Sequence, residues 1–266
     1  QAGVFAALLA QKGYSGTEKV FEGKEGFMDA FVGWNAKDET MNPTDMEGRD
    51  GVSSWAWDVE ALVGKLGESY KILECGMKAF PTEALTHTHI SCALNAMINN
   101  DLDYTDIKEI KVTAFAQAYD ILFDPTKYRP ESRETADHSL PYCMAAAIVD
   151  KKITTQSFSD EKLKDPKIFE VIDKIVGEPS LEFEAMFPAK QPSRVVVTTN
   201  DGRSFEEYLE YPKGDPREPM TIEDLTNKFN SLSADVLNEE RQQSIKDMIF
   251  SCENISAKAF MSALVV

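Results

Sequence analysis

The run at 137–150, Asp-His-Ser-Leu-Pro-Tyr followed by Cys-Met-Ala-Ala-Ala-Ile-Val-Asp, constrains the fold more than any other stretch of the chain. Leu140, Met144, Ile148 and Val149 fall at helical spacing. Asp137 or Ser139 can cap the first turn, and Pro141 sits where a helix tolerates proline. His138 and Tyr142 are four residues apart. On one continuous helix that spacing puts an imidazole and a phenol on a shared face, able to address one small ligand together. The plainer reading is a capped helix with a buried histidine and tyrosine. Both readings make this helix the element around which the rest is arranged.

Charge narrows the partners. With 45 acidic against 28 basic residues the formal charge is −17, which disfavours nucleic acid and anionic membrane surfaces. The same field repels a small anionic ligand at long range, so binding one requires a local cationic cluster, and none stands out in the sequence. The 266 residues, 42% of them hydrophobic, suffice for one large domain or two smaller ones. There is no apolar run of eighteen residues and no basic leader with a cleavage site, so no membrane span or secretion signal is expected. Cys75, Cys92, Cys143 and Cys252 form no Cys-x-x-Cys pair and are read as reduced and structural. His87 and His89, two apart in a chain with three histidines, lack the spacing of a one-face ligand pair, so no metal is predicted.

Taken in order, residues 2–11 form an apolar helix that Gly13 can terminate in the left-handed conformation, and a helix this hydrophobic needs partners on most sides. Short helices at 16–21 and 26–31 precede a long loop at 33–54, and a further short helix lies within 55–66. A strand at 70–75 delivers the chain to Lys78, and Pro81 starts a helix to about Asn99, with Glu83 in a first turn that favours carboxylates. Residues 106–115 read as a strand. Asp165-Pro166 caps a helix to Val176; strands follow at 181–187 and 194–199, and Asn200-Asp-Gly turns the chain into a strand at 205–210. A linker at 213–219 leads to three terminal helices. The class is α+β.

Three separated motifs, Ala-Leu-Leu-Ala-Gln-Lys-Gly-Tyr-Ser-Gly at 7–16, Lys-Ala-Phe-Pro-Thr-Glu at 78–83 and Asp-His-Ser-Leu-Pro-Tyr at 137–142, resemble the MmgE/PrpD family. That family includes 2-methylcitrate dehydratases and cis-aconitate decarboxylases. The resemblance continues through Val-Thr-Thr-Asn-Asp-Gly-Arg-Ser-Phe-Glu at 197–206. It implies a large all-helical domain made from both chain ends, with a smaller α+β domain inserted. In this chain, residues 1–53 and the linker and helices of 213–266 would belong to the helical part, and 54–212 to a lid-like insert. It also implies a cofactor-independent, intracellular lyase, a homodimer, whose substrate is a small tricarboxylate. Such eliminations need a base for a carbon-bound proton, an acid for the leaving group, and cations for the carboxylates. The resemblance places Lys78, His138 and Tyr142 in catalysis and Glu83, His87 and Ser139 at the substrate. Glu83 stands where animal cis-aconitate decarboxylases carry histidine and dehydratase-like relatives carry glutamate, so the resemblance leans toward dehydration of 2-methylcitrate or a related alkylcitrate. The family's other acid, base and anion-binding groups have no counterpart here. The chain is therefore expected to be the second half of such an enzyme, inactive until an N-terminal half or a partner chain completes it.

Overall fold

The computed structural model describes residues 1–21, 26–27 and 63–265. The chain divides into two units, Gln1–Lys71 and Ile72–Val266. In the first, helix α1 (Ala2–Gln11) ends as its sequence requires: Gly13 adopts φ 88° and its amide donates to the Ala10 carbonyl. No residue of α1 is buried in its unit. Residues 18–21 form turns where a second helix was expected, since so short a segment has too few hydrogen bonds to offset nucleation. The helix expected at 26–31 beyond Phe27, the loop at 33–54, most of the helix within 55–66 and the domain boundary at 53/54 lie outside the described residues.

The second unit carries helices α2 (His87–Asn99), α3 (Ala116–Leu122), α4 (Arg133–Asp137), α5 (Leu140–Asp150), α6 (Pro166–Ile172), α7 (Leu181–Met186), α8 (Ile222–Ser233), α9 (Glu239–Phe250) and α10 (Ala257–Ala263). Its strands β1 (Ile107–Phe115), β2 (Ile175–Ser180), β3 (Ser193–Thr199) and β4 (Ser204–Leu209) form one mixed sheet in the order β2-β1-β3-β4. The fold is α+β. β1 and β2 run parallel, joined by a crossover that contains α3 to α6, whereas β3 is antiparallel to both β1 and β4. Alternation along the central strands sends Ile110, Val112 and Ala114 to the same face as Val195 and Val197, and all five are buried. Helix α2 packs against β3 and β4, and α5 packs between α2 and α6. The β3–β4 hairpin turns at Asn200-Asp-Gly, with Gly202 at φ 87°, as the sequence predicts.

Four expectations are corrected. Residues 181–187 alternate apolar and polar like a strand, yet α7 is a helix: the Ser180 hydroxyl accepts from the Phe183 amide, and Glu182 and Glu184 favour the positive end of the first turn. The strand is the segment before it, because α6 stops at Ile172 and Ile175 enters the sheet beside Ile110. Lys71–Glu74 is an exposed 3-10 turn in place of a strand. Pro81 does not start α2; Glu83 caps a 3-10 turn, Ala84–Thr86, and the α-helix begins at His87. Cys92 and Cys143 are buried, as a structural role requires, whereas Cys75 and Cys252 are exposed. Among the described residues no helix is long and apolar enough to cross a membrane.

Candidate active site

Helix α5 is held at both ends. Ser139 accepts the Tyr142 amide at 3.1 Å and donates its own proton to the Lys127 carbonyl at 2.5 Å; Lys151 closes the helix in the left-handed conformation at φ 52°. Every residue from Leu140 to Ile148 is buried, as suits a helix apolar around its whole circumference. Tyr142 is therefore wholly inside the core, its hydroxyl donating to the Ser157 carbonyl at 2.8 Å, and burial pushes its phenol up from the ordinary tyrosine range. His138 is not on that helix. It closes α4, its side chain is exposed, and Nδ1 lies 2.5 Å from Asp137 Oδ1. The spacing rule that put His138 and Tyr142 on one face fails because the helix breaks between them.

The two chemistry-bearing motifs are nevertheless tied together through the backbone. The Glu83 amide donates to the Asp137 carbonyl at 3.0 Å, while the Glu83 carboxylate is occupied by the Leu85 amide at 2.6 Å. Lys78 folds back over its own segment, its Nζ donating to the Thr82 carbonyl at 2.8 Å. From α8, Lys228 Nζ donates to the Lys78 carbonyl at 2.6 Å. Beside this contact the Met77 amide donates to the Gly214 carbonyl at 2.8 Å. Only glycine fits at 214: φ is 97°, and an added Cβ would stand 1.9 Å from the Met77 carbonyl oxygen.

Beside the Lys78 and Lys228 contacts lies a half-open cavity of about 440 Å³, a size suited to a small molecule. One wall is Lys78, Phe80 and Pro81, a second is Ile153, Thr154 and Thr155, and the third comes from Lys213 and helix α8 with Asp224, Asn227 and Lys228. The three lysines differ in their electrostatic state. Lys213 Nζ is 2.6 Å from Asp224 Oδ1, and this bond, with those from Thr221, draws the Asp224 carboxyl down to about 2. Lys78 and Lys228 donate to backbone carbonyls, which carry no net charge, and neither makes an ion pair among the described residues. Among the described residues, two ammonium groups of this acidic protein thus face the cavity without an ion-pair partner. That arrangement suits carboxylates.

Of the six residues singled out from sequence, Lys78 lines the cavity; His138, Tyr142, Glu83, His87 and Ser139 do not. Tyr142 stands one layer behind it, because Ser157 closes a turn in which the Thr154 amide donates to Ser157 Oγ at 3.1 Å, and Thr154 is in the wall. His87 also stands behind the wall, its ring 5.3 Å from that of Phe80. Burial, aided by the charges of Lys78 and Lys228, lowers its pKa to about 4 against a raising contact from the Thr82 backbone, so the imidazole is neutral at pH 7. Sequence reasoning missed Lys213, Asp224 and Lys228. The signal was present: Thr221 and Asp224 form a capping box that fixes where α8 starts, and Lys228 follows Asp224 by four residues on the same face.

The MmgE/PrpD C-terminal domain model matches residues 80–254. The chain is 23% identical over 262 residues to the cis-aconitate decarboxylase of Aspergillus terreus, an alignment that covers 96% of this chain and 50% of that protein. It is 26% identical over 272 residues to the cis-aconitate decarboxylase-like protein oryM of Aspergillus oryzae, covering 99% and 52%. The human cis-aconitate decarboxylase matches at 23% over 273 residues, covering 98% and 50%. The chain spans about half the length of the curated relatives it matches. With 175 of 266 positions inside one family model, from Phe80 in the cavity wall to Asn254 beyond α9, the chain belongs to the MmgE/PrpD family.

Proposed function

We propose that this chain supplies the cationic, substrate-enclosing part of a lyase acting on a small polycarboxylate, and that the reaction is decarboxylation of cis-aconitate or a close structural relative. The observation that carries this reading is the pair of ammoniums, Lys78 and Lys228, in one cavity. The names of the relatives supply the reaction. When CO2 leaves an allylic carboxylate, the C–C bonding pair forms the new double bond, the old double bond opens, and its far carbon takes a proton. In this reading Lys78 and Lys228 hold the carboxylates that stay, Lys78 also delivers the proton, and Tyr142 fixes the cavity wall through Ser157. The segment from Ile72 to about residue 212 acts as the lid-like part over helices that belong to a larger helical domain. The relatives are about twice as long, and the remaining half of such a length is assigned the further acid, base and anion-binding groups.

A second reading, dehydration of 2-methylcitrate or a related alkylcitrate, is favoured by one residue, Glu83, where the family resemblance separates glutamate from histidine. Its carboxylate caps a turn here, which accounts for a glutamate without reference to the reaction. Two assays on a chain carrying a complete family length separate the readings: CO2 release reports decarboxylation, and ultraviolet absorbance of a new unsaturated product reports dehydration. Lys78→Ala and Lys228→Met are each expected to lower kcat/KM by about a hundredfold. Unchanged turnover in both variants sinks the assignment of this cavity. The 266-residue chain alone is expected to bind polycarboxylates without turning them over, and robust turnover by it would place the whole active site within these residues.

A further inference from the structure

We infer that Asp224 keeps the cavity a two-carboxylate site: it holds Lys213 in an ion pair, so that a tricarboxylate binds with its third carboxylate unpaired. This inference rests on the polycarboxylate reading above and adds to it a residue that sets charge selectivity. Three lysines reach the cavity, yet one of them already has a carboxylate 2.6 Å from its Nζ. Asp224 is also held from its other oxygen, which accepts from the Thr221 amide at 2.9 Å and the Thr221 hydroxyl at 2.8 Å. It cannot swing away to release Lys213 without giving up its two bonds to Thr221, the reciprocal arm of the α8 capping box. Both side chains remain partly exposed, 42% for Lys213 and 27% for Asp224, so a ligand can approach the pair. A carboxylate brought there meets a like charge at the position where it would seek a cation. In a decarboxylation this is useful. An ammonium on the departing carboxylate stabilises the ground state, in which that group is charged, more than the transition state, in which its charge is leaving.

The test compares binding of glutarate, with two carboxylates, and propane-1,2,3-tricarboxylate, with three, to the 266-residue chain by isothermal titration calorimetry at pH 7.5 and fixed ionic strength. Asp224→Asn keeps an acceptor for the Thr221 amide and removes the charge. It is expected to raise tricarboxylate affinity about tenfold relative to glutarate, because Lys213 becomes a third cation. Lys213→Met leaves the α8 cap untouched, so it serves if Asp224→Asn loses helix by circular dichroism; it is expected to lower the same ratio about tenfold. The double variant returns the ratio to near the parental value. A ratio unmoved by the folded single variants overturns the role of Asp224 while the polycarboxylate reading stands. Binding of neither ligand by the parental chain overturns both.

Discussion

The Tyr142 hydroxyl finds its acceptor, the Ser157 carbonyl, inside the core, so a phenol expected at the substrate acts first on stability. Tyr142→Phe leaves that carbonyl without its donor and is expected to cost about 1–2 kcal/mol, read as a shift of the urea midpoint at unchanged slope. Ser139→Ala removes two hydrogen bonds of one buried hydroxyl, cap and Lys127 carbonyl alike, and is expected to cost about 2 kcal/mol. The cap itself was legible, because a hydroxyl before an apolar helical run has few other uses; the partner twelve residues upstream was not. Buried histidines give the protein an acid limit. His87 and His89 are lowered to about 4, chiefly by burial, against an ordinary value near 6.5. The unfolded chain binds more protons between those values, so stability is complete above pH 6.5 and falls as pH drops toward 4, by up to about 3 kcal/mol for each histidine. Denaturant titrations at pH 7 and pH 4.5 measure the fall. A double His87→Gln, His89→Gln variant is expected to be less stable at pH 7 but to show a flatter slope.

At the scale of elements, strong local signals were read correctly and ambiguous ones were decided by neighbours. Ile110, Val112 and Val195 sit in strands because each has a strand beside it, and their sequence already alternates. Residues 181–187 alternate equally well but have no strand partner; β2 occupies the edge beside β1, and Ser180 caps the residues that follow. Pairing is a fact about distant residues, which is why the strand is expected one segment late and the helix from Pro166 is expected to run past Ile172. The end of α5 offers a direct measurement. Lys151 is a non-glycine residue at φ 52°, so Lys151→Gly is expected to stabilise the protein by about 0.5 kcal/mol, visible as a rise in Tm of a few degrees or less. A decrease in Tm would show that the lysine side chain contributes more than the backbone strain costs.

For the molecule as a whole, charge and site pull in opposite directions. The net charge of −17 repels a polycarboxylate until it comes within about a Debye length of Lys78 and Lys228. Raising ionic strength from low values is therefore expected to increase the association rate of propane-1,2,3-tricarboxylate, the reverse of what an electrostatically steered enzyme shows; stopped-flow binding across a salt series checks the sign. The cavity was hidden from the sequence for the reason that makes it depend on the whole unit: Lys78 and Lys228 are 150 residues apart, and the Met77 amide reaches the Gly214 carbonyl across nearly as many. That long seam has a temporal consequence. The sheet is complete at Leu209 and α5 at Asp150, so on a ribosome the core can close while α8 is still inside the exit tunnel, and the Lys78 segment waits without its clamp. Nascent chains arrested with Leu209 outside the exit tunnel and Gly214 still within it are expected to protect β1 and β3 from hydrogen exchange yet leave the Met77 amide unprotected, with protection arriving only after Gly214 emerges.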